Sequence, residues 1–325
     1  MWVELLLVIL TILFTLLGIL LWSGRGNVET RWVIAGEASN GNGTIAWSDN
    51  GESWTLALDS DGNYPFGDSG QGFVTNNRDG FWVAGGQDGD DLGKNMYWSD
   101  DGKEWNLSSN SDGSGQIFGT NSASQCRVII DGGGRWVAAG GNPDSDKAYY
   151  SDDGKVWTVG NGTPNPGGSF NVFISGDYSP ERFVLGATTT NTEKIWFSDD
   201  GINWEAANSP DGDIFGSGVG LVIDVKYRNG IWVAVGTNAT TASENIWWSD
   251  NGRTWYKALV NPQTNNCTAL DYYDGLWVTG GGSTNKITYS EDGKTWTAAT
   301  LNNVDSADQI TSITAPPGPE GRWGQ

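Results

Sequence analysis

The 325-residue chain has no histidine, two cysteines, two methionines and ten prolines, and its 18 lysines and arginines face 39 aspartates and glutamates. Each shortage excludes something. Without histidine there is no Ser-His-Asp or Cys-His centre and no His-ligated zinc site. A formal net charge of −21 repels phosphates and argues against a nucleic-acid partner. Two cysteines make no disulfide framework. Long apolar runs are also missing, except for Leu5 to Trp22.

What is present is repetition. The phrase Ser-Asp-[Asp/Asn]-Gly-x-x-Trp begins at Ser48, Ser99, Ser151, Ser198, Ser249 and Ser290, the last with Glu291 for the first Asp, at intervals of 51, 52, 47, 51 and 41 residues. Its fixed residues are Ser48, Asp49, Gly51 and Trp54; Ser99, Asp100, Gly102 and Trp105; Ser151, Asp152, Gly154 and Trp157; Ser198, Asp199, Gly201 and Trp204; Ser249, Asp250, Gly252 and Trp255; and Ser290, Asp292, Gly293 and Trp296. A second element keeps step with it: an aromatic followed by Val and small residues, centred on Trp32, Trp82, Trp136, Phe183, Trp232 and Trp277. Two patterns locked in phase mark a repeat protein.

The fifth repeat shows the unit. Leu221–Tyr227, Ile231–Val235, Asn245–Trp248 and Thr254–Ala258 are short runs of β-branched and aromatic residues separated by Gly/Asn/Asp turns, and so read as four strands. The Asp-Gly or Asn-Gly of each phrase supplies the positive φ of a tight hairpin. Four-stranded units of about 40–50 residues, repeated, predict a β-propeller. The expected fold is therefore all-β: a six-bladed β-propeller of four-stranded antiparallel blades over 27–325, preceded by one transmembrane helix. The first repeat lacks an innermost strand, and Gln309–Ala315 lacks a blade. That C-terminal strand is expected to enter blade one and close the ring.

The phrase resembles the Asp-box (BNR) repeat of sialidases, sortilin-type receptors and photosystem-assembly propellers, over residues 30–325, although the family phrase usually has one more residue between Ser and Gly. The resemblance implies a folding device, with Ser and Asp satisfying turn backbone and Trp plugging the core, on the face opposite the ligand site. It also sets a test for sialidase activity: three converging Arg, a Tyr nucleophile with a Glu partner, and a further acid. Only Arg127 falls near the axis on the loop face, and no Arg-Ile-Pro phrase is present.

Residues 1–26 read as a single-pass membrane anchor and linker. Eighteen nearly unbroken apolar residues suit a spanning helix, and Trp2 and Trp22 sit at its two ends. A cleaved signal peptide would want a basic residue before the run and an Ala-x-Ala exit, where this chain has Glu4 and Trp-Ser-Gly-Arg. Which membrane is involved is open, with a cell membrane and a virion inner membrane the two candidates. Arg25 and Arg31 tip the propeller to the cytoplasmic side. Cys126 and Cys267 lie ten residues before their central Trp, in repeats expected to face each other across the axis. Two free, core-like thiols are expected.

Strand polarity assigns loops to faces. The phrase hairpins belong to one face, expected to meet the bilayer. The opposite face carries the variable loops and is the candidate partner-binding face: Asp88, Asp90, Asp91, Lys94, Asp144, Asp146, Lys147, Glu193, Lys194, Glu244 and Lys286. Phe66, Phe118 and Phe215, in the connections between repeats, read as wedges. Asp59-Ser-Asp61 and Asp88 to Asp91 are the short acidic runs that oxygen-ligated Ca²⁺ would use, without a full Ca²⁺ loop. No cofactor and no catalytic residue is assigned. The leading expectation is a membrane-anchored, non-catalytic scaffold for a protein partner, linking a membrane to an adjacent assembly such as a virion shell. The alternative is a glycan-binding or glycoside-cleaving propeller. A third class, a photosystem-type assembly factor, would want a basic cluster on the working face, and the sequence shows little of one.

Overall fold

The computed structural model describes residues 31–37, 44–67, 69–89, 93–113, 116–119, 124–141, 147–162, 172–238, 240–264, 266–282, 285–301 and 310–313. The expected anchor over 1–26, the candidate residues Asp90, Asp91, Asp144 and Asp146, and Gln309, Thr314 and Ala315 of the expected C-terminal strand lie outside them, and the described residues 310–313 of that segment form no regular strand. Among the described residues every regular element is a β-strand, and no helix is long and apolar enough to cross a membrane.

The repeats fold as the alternating pattern dictates. In the fifth, Gly220–Arg228, Ile231–Thr237, Ile246–Ser249 and Tyr256–Lys257 pair antiparallel in sequence order. The second, third, fourth and sixth repeats do the same, while the first has three strands: Trp32–Ala35, Ile45–Ser48 and Thr55–Leu56. As expected, the first repeat shows no innermost strand of its own among the described residues. Each of the five innermost strands carries a β-bulge at one register, between Gly72 and Val74, Cys126 and Val128, Phe173 and Ser175, Val222 and Asp224, and Cys267 and Ala269. A bulge adds one unpaired residue and bends the strand.

Each core cluster joins two neighbouring repeats. Val83 and Met96 of the second pack with Phe118, Cys126, Ile129, Trp136 and Trp157 of the connection and the third. Ile231 and Val233 of the fifth pack with Cys267, Leu270, Trp277 and Trp296 of the sixth. Trp105, Trp157, Trp255 and Trp296 are at most 1% exposed, and burying a ring of that size contributes on the order of 4–6 kcal/mol before entropy is counted. Short parallel pairings seal four of them: Leu58–Asp59 runs beside Glu104–Trp105, and Ser109–Asn110 beside Val156–Trp157, while single bridges join Asn208 to Thr254 and Val260 to Thr295.

Two expectations hold at side-chain level. Phe66, Phe118 and Phe215 are fully buried and lie against Tyr97, Tyr149 and Trp247 of the following repeat, with ring centroids 5.0, 4.8 and 6.0 Å apart. Cys126 and Cys267 are free and fully buried. Burial pushes the Cys267 thiol up to about 12 and raises Cys126 further still, so neither is a ready nucleophile.

Candidate partner-binding faces

The phrase divides its labour differently from the expectation that Ser and the first Asp together cap the turn. Ser99 Oγ accepts from Gly102 N at 2.8 Å, but the capping carboxylate is the third residue. Asp101 Oδ1 accepts from Lys103 N and Glu104 N at 2.8 and 3.1 Å. Asn50 and Asn251 do the same in the first and fifth repeats, and Asp153, Asp200 and Asp292 in the others. Partial burial opposes the charge of Asp200, but the backbone donors of Asn203 and Ile202 outweigh it and hold the carboxyl at about 2. The glycine after it sits at φ of 70–76° in all six copies, where a side chain would be strained.

The first Asp instead faces the next repeat. Lys103, Lys155, Arg253 and Lys294 each follow the phrase Gly, and each reaches back to pair with Asp49, Asp100, Asp199 and Asp250 of the repeat before. The same cations sit over the aromatic that precedes the earlier phrase: Lys103 over Trp47 at 4.4 Å, Lys155 over Trp98 at 3.9 Å, Arg253 over Phe197 at 5.1 Å and Lys294 over Trp248 at 3.8 Å. A second clip starts one residue before the central aromatic. Arg31, Arg135 and Arg182 pair with their own Asp49, Asp152 and Asp199 and donate to a carbonyl of the next hairpin, Asp101, Asp200 and Asn251. These guanidiniums are engaged within the protein. The corresponding positions of the sixth and first repeats hold Leu276 and Glu52.

The opposite face is less open than its sequence implies. Lys194 is fully buried, and its Nζ donates to the carbonyls of Asn191 and Gly216 at 2.6 Å each. Burial lowers its pKa, opposed by Asp213. Lys286 and Asp88 are 3% exposed, and Glu244 pairs with Lys257 at 2.7 Å. Lys94 is half-buried, and Lys147 and Glu193 are exposed. The buried positions share a rule that the sequence phase carries. The residue just before the third strand donates to the connection into the next repeat: Thr44 to Pro65, Asn95 to Ser124, Lys194 to Gly216 and Asn245 to Gln263. Asp59 is likewise a loop cap, accepting from Asp61 N and Asn63 N. Arg127 lies over Phe73, 4.3 Å from the ring centroid, and donates to Gln125.

Between the innermost strands sits a charged cluster. Lys226 Nζ lies 3.2 Å from Asp271 and 3.8 Å from Asp224, and Arg228 pairs with Asp177 at 2.7 Å. Burial pushes Asp224 up to about 6 in spite of Lys226, aided by the neighbouring Asp177 and Asp271.

No family model matches the sequence, and no curated protein does. Solved structures do. YCF48 bound to D1 peptide superposes with a TM-score of 0.50 at 17% identity, covering 83% of this chain and 84% of that one. The fold is a β-propeller. A GH74 enzyme from Niastella koreensis aligns at a TM-score of 0.43 and 14% identity, over 78% of this chain, which spans about a third (33%) of that protein's length. The computationally designed Ika8 protein aligns at 0.43 and 14%, over 85% of this chain and 86% of its own. Propeller architecture explains why each core cluster straddles two repeats, since blades packed face to face place the core between them.

Proposed function

We propose that the chain is a six-bladed ring, held at a membrane by residues 1–26, which acts without catalysis as a platform for a protein partner on the face away from that membrane. Six phrases in one phase support the blade count. Closure rests on the seam geometry. At two seams a side chain at the start of an innermost strand packs on the second strand of the previous blade: Cys126 on Gly85 and Val222 on Gly186. A Cβ added at either glycine would lie 2.5 Å from that side chain. Gly280 holds the same register in the sixth repeat, and the residue 2.5 Å from its added Cβ is Ile310. Ile310 N also donates to Gly281 O at 3.3 Å. These contacts of Ile310 support the reading that the C-terminal segment stands in for the missing innermost strand of blade one.

The observation that carries the functional reading is the contrast between the faces. Charged side chains on the phrase-bearing face are tied repeat to repeat, which stiffens the ring. On the opposite face Lys147 and Glu193 stand exposed. The peptide bound to the YCF48 structure adds that a propeller of this size can present a surface to a polypeptide. The test is site-specific photocross-linking of the full chain in its native membrane. Probes at positions 147 and 193 are expected to capture the same protein, and a probe at Asp152 on the other face is not. Capture of lipid or glycan alone from 147 and 193 would count against the platform.

A further inference from the structure

The first repeat has one packed side and one bare side. Its register sets Trp32 opposite Ser48, and Ile34 opposite Ala46, which in turn faces Leu56. Side chains that face each other across a ladder, or stand two apart along a strand, share a side of the sheet. Trp32, Ile34 and Leu56 therefore share one side. Trp54 joins them, since its counterparts Trp157 and Trp296 pack with Trp136 and Trp277. The other side carries Val33, Ile45, Trp47 and Ala57, which pack with Ala84, Tyr97 and Trp105 of the second repeat. On the first side Trp32, Ile34, Trp54 and Leu56 are 62, 52, 41 and 41% exposed. The counterparts of Trp32 in the third to sixth repeats are 1–2% exposed, those of Ile34 are fully buried in all five other repeats, and those of Trp54 are at most 4% exposed.

Elsewhere this side meets the repeat before it: Trp136 packs with Val83 and Met96, and Trp277 with Ile231 and Val233. The first repeat lacks that cover. Trp32 stays bare although Ile310 lies against Gly280 of the sixth repeat. The cation clips that fasten the sequential seams have no counterpart between the sixth and first repeats, where the two positions hold Leu276 and Glu52.

The chain indicates what meets this side instead. Trp32 follows Trp22, the end of the apolar run, by ten residues, so it lies within about 35 Å of that end however the linker runs. Tryptophan suits a bilayer–water boundary, because an apolar ring carries one polar N–H. Trp54 already satisfies that group, its Nε1 donating to Gly51 O at 3.1 Å. The neighbouring cations Arg31 and Lys103 both pair with Asp49, so the attraction is apolar and needs no anionic headgroup.

We propose that Trp32, Ile34, Trp54 and Leu56 form a bilayer-contact patch, seated at the boundary between headgroups and acyl chains beside the anchor. This rests on the membrane reading of residues 1–26 and deepens it. The anchor tethers the ring, and the patch fixes how the ring is oriented on the bilayer.

The test reconstitutes the full-length chain into uncharged phosphatidylcholine vesicles, with a nitroxide label on Ile34→Cys or Leu56→Cys and on Lys147→Cys as the opposite-face control. Cys126 and Cys267 are buried and do not compete for the label. Collisions with oxygen, which concentrates in the bilayer, are compared with collisions with a water-soluble nickel chelate. Oxygen is expected to dominate at 34 and 56, and nickel at 147. Nickel dominating at 34 would mean a solvated face. Exclusion of both reagents there would mean a face covered by protein, either the sixth repeat or a second copy. Either result overturns the proposal. A label at Thr11→Cys, inside the apolar run, separates the two readings. Oxygen at 11 with nickel at 34 leaves the anchor without the patch, the reverse leaves the patch without the anchor, and nickel at both removes both.

Discussion

Lys155 of the third repeat holds its ammonium 3.9 Å above the ring of Trp98 in the second. The contact spans a seam and is repeated by Lys103, Arg253 and Lys294 at three others. Blades that share a core only along their faces would slide. A cation fixed over a ring and beside a carboxylate sets the register between them.

Lys155→Ala is therefore expected to destabilise the chain by about 1 kcal/mol, the sum of an exposed cation–π contact and a surface ion pair. Urea unfolding at low and high salt checks it. The ion-pair part fades with salt, so the difference between wild type and variant should shrink in 1 M NaCl, where screening lengths fall to about 3 Å.

Lys194 is expected to behave as a structural residue. Lys194→Met leaves the Gly216 and Asn191 carbonyls without their donor in a buried site, a loss of about 1–3 kcal/mol. In the native protein an amine-reactive ester should label Lys147 and spare Lys194. Mass spectrometry of the labelled chain decides between the two.

Asp224 predicts a pH dependence of one sign. Its folded pKa of about 6 lies above the ordinary aspartate value of 3.8, so the native state binds a proton more readily than the unfolded chain. Stability contributed by this group is gained as pH falls through about 6 and is absent above it. Asp224→Asn should stabilise the protein at pH 8 and have little effect at pH 4. Thermal melts at the two pH values are the check.

Asp200 predicts the opposite sign at lower pH. With a folded pKa of about 2 against 3.8, its contribution is complete above the unfolded value and is lost as pH falls through the folded one. Asp101, Asp153 and Asp292 are shifted the same way by the same donors. The acid limb of stability should fall between about pH 4 and pH 2, and less steeply in Asp200→Asn.

Much of the fold was legible because it is written six times. Phase alone placed the hairpins, the three-stranded first repeat, the buried phenylalanines and the unpaired cysteines. What phase could not show lies across the seams. Asp100 and Asp101 are neighbours of one chemistry, yet one caps its own turn and the other meets Lys155 of the next repeat. Lys194 and Lys286 read as surface charge because lysine is rarely buried without partners, and their partners are backbone carbonyls or contacts that composition cannot reveal. The innermost bulges share a register but no residue type, so periodicity passes over them.

The proposed ring is closed by the chain's own C-terminal segment, and truncation after Leu301 tests that most directly. Ile310 would be lost from Gly280 and Thr268, which donates to its carbonyl. The prediction is that the intact chain melts in one cooperative transition, whereas the truncated chain melts well below it, with hydrogen exchange quickened first in Trp32–Ala35 and Leu276–Gly281. A truncated chain as stable as the full one, with those two strands equally protected, would contradict the closed ring.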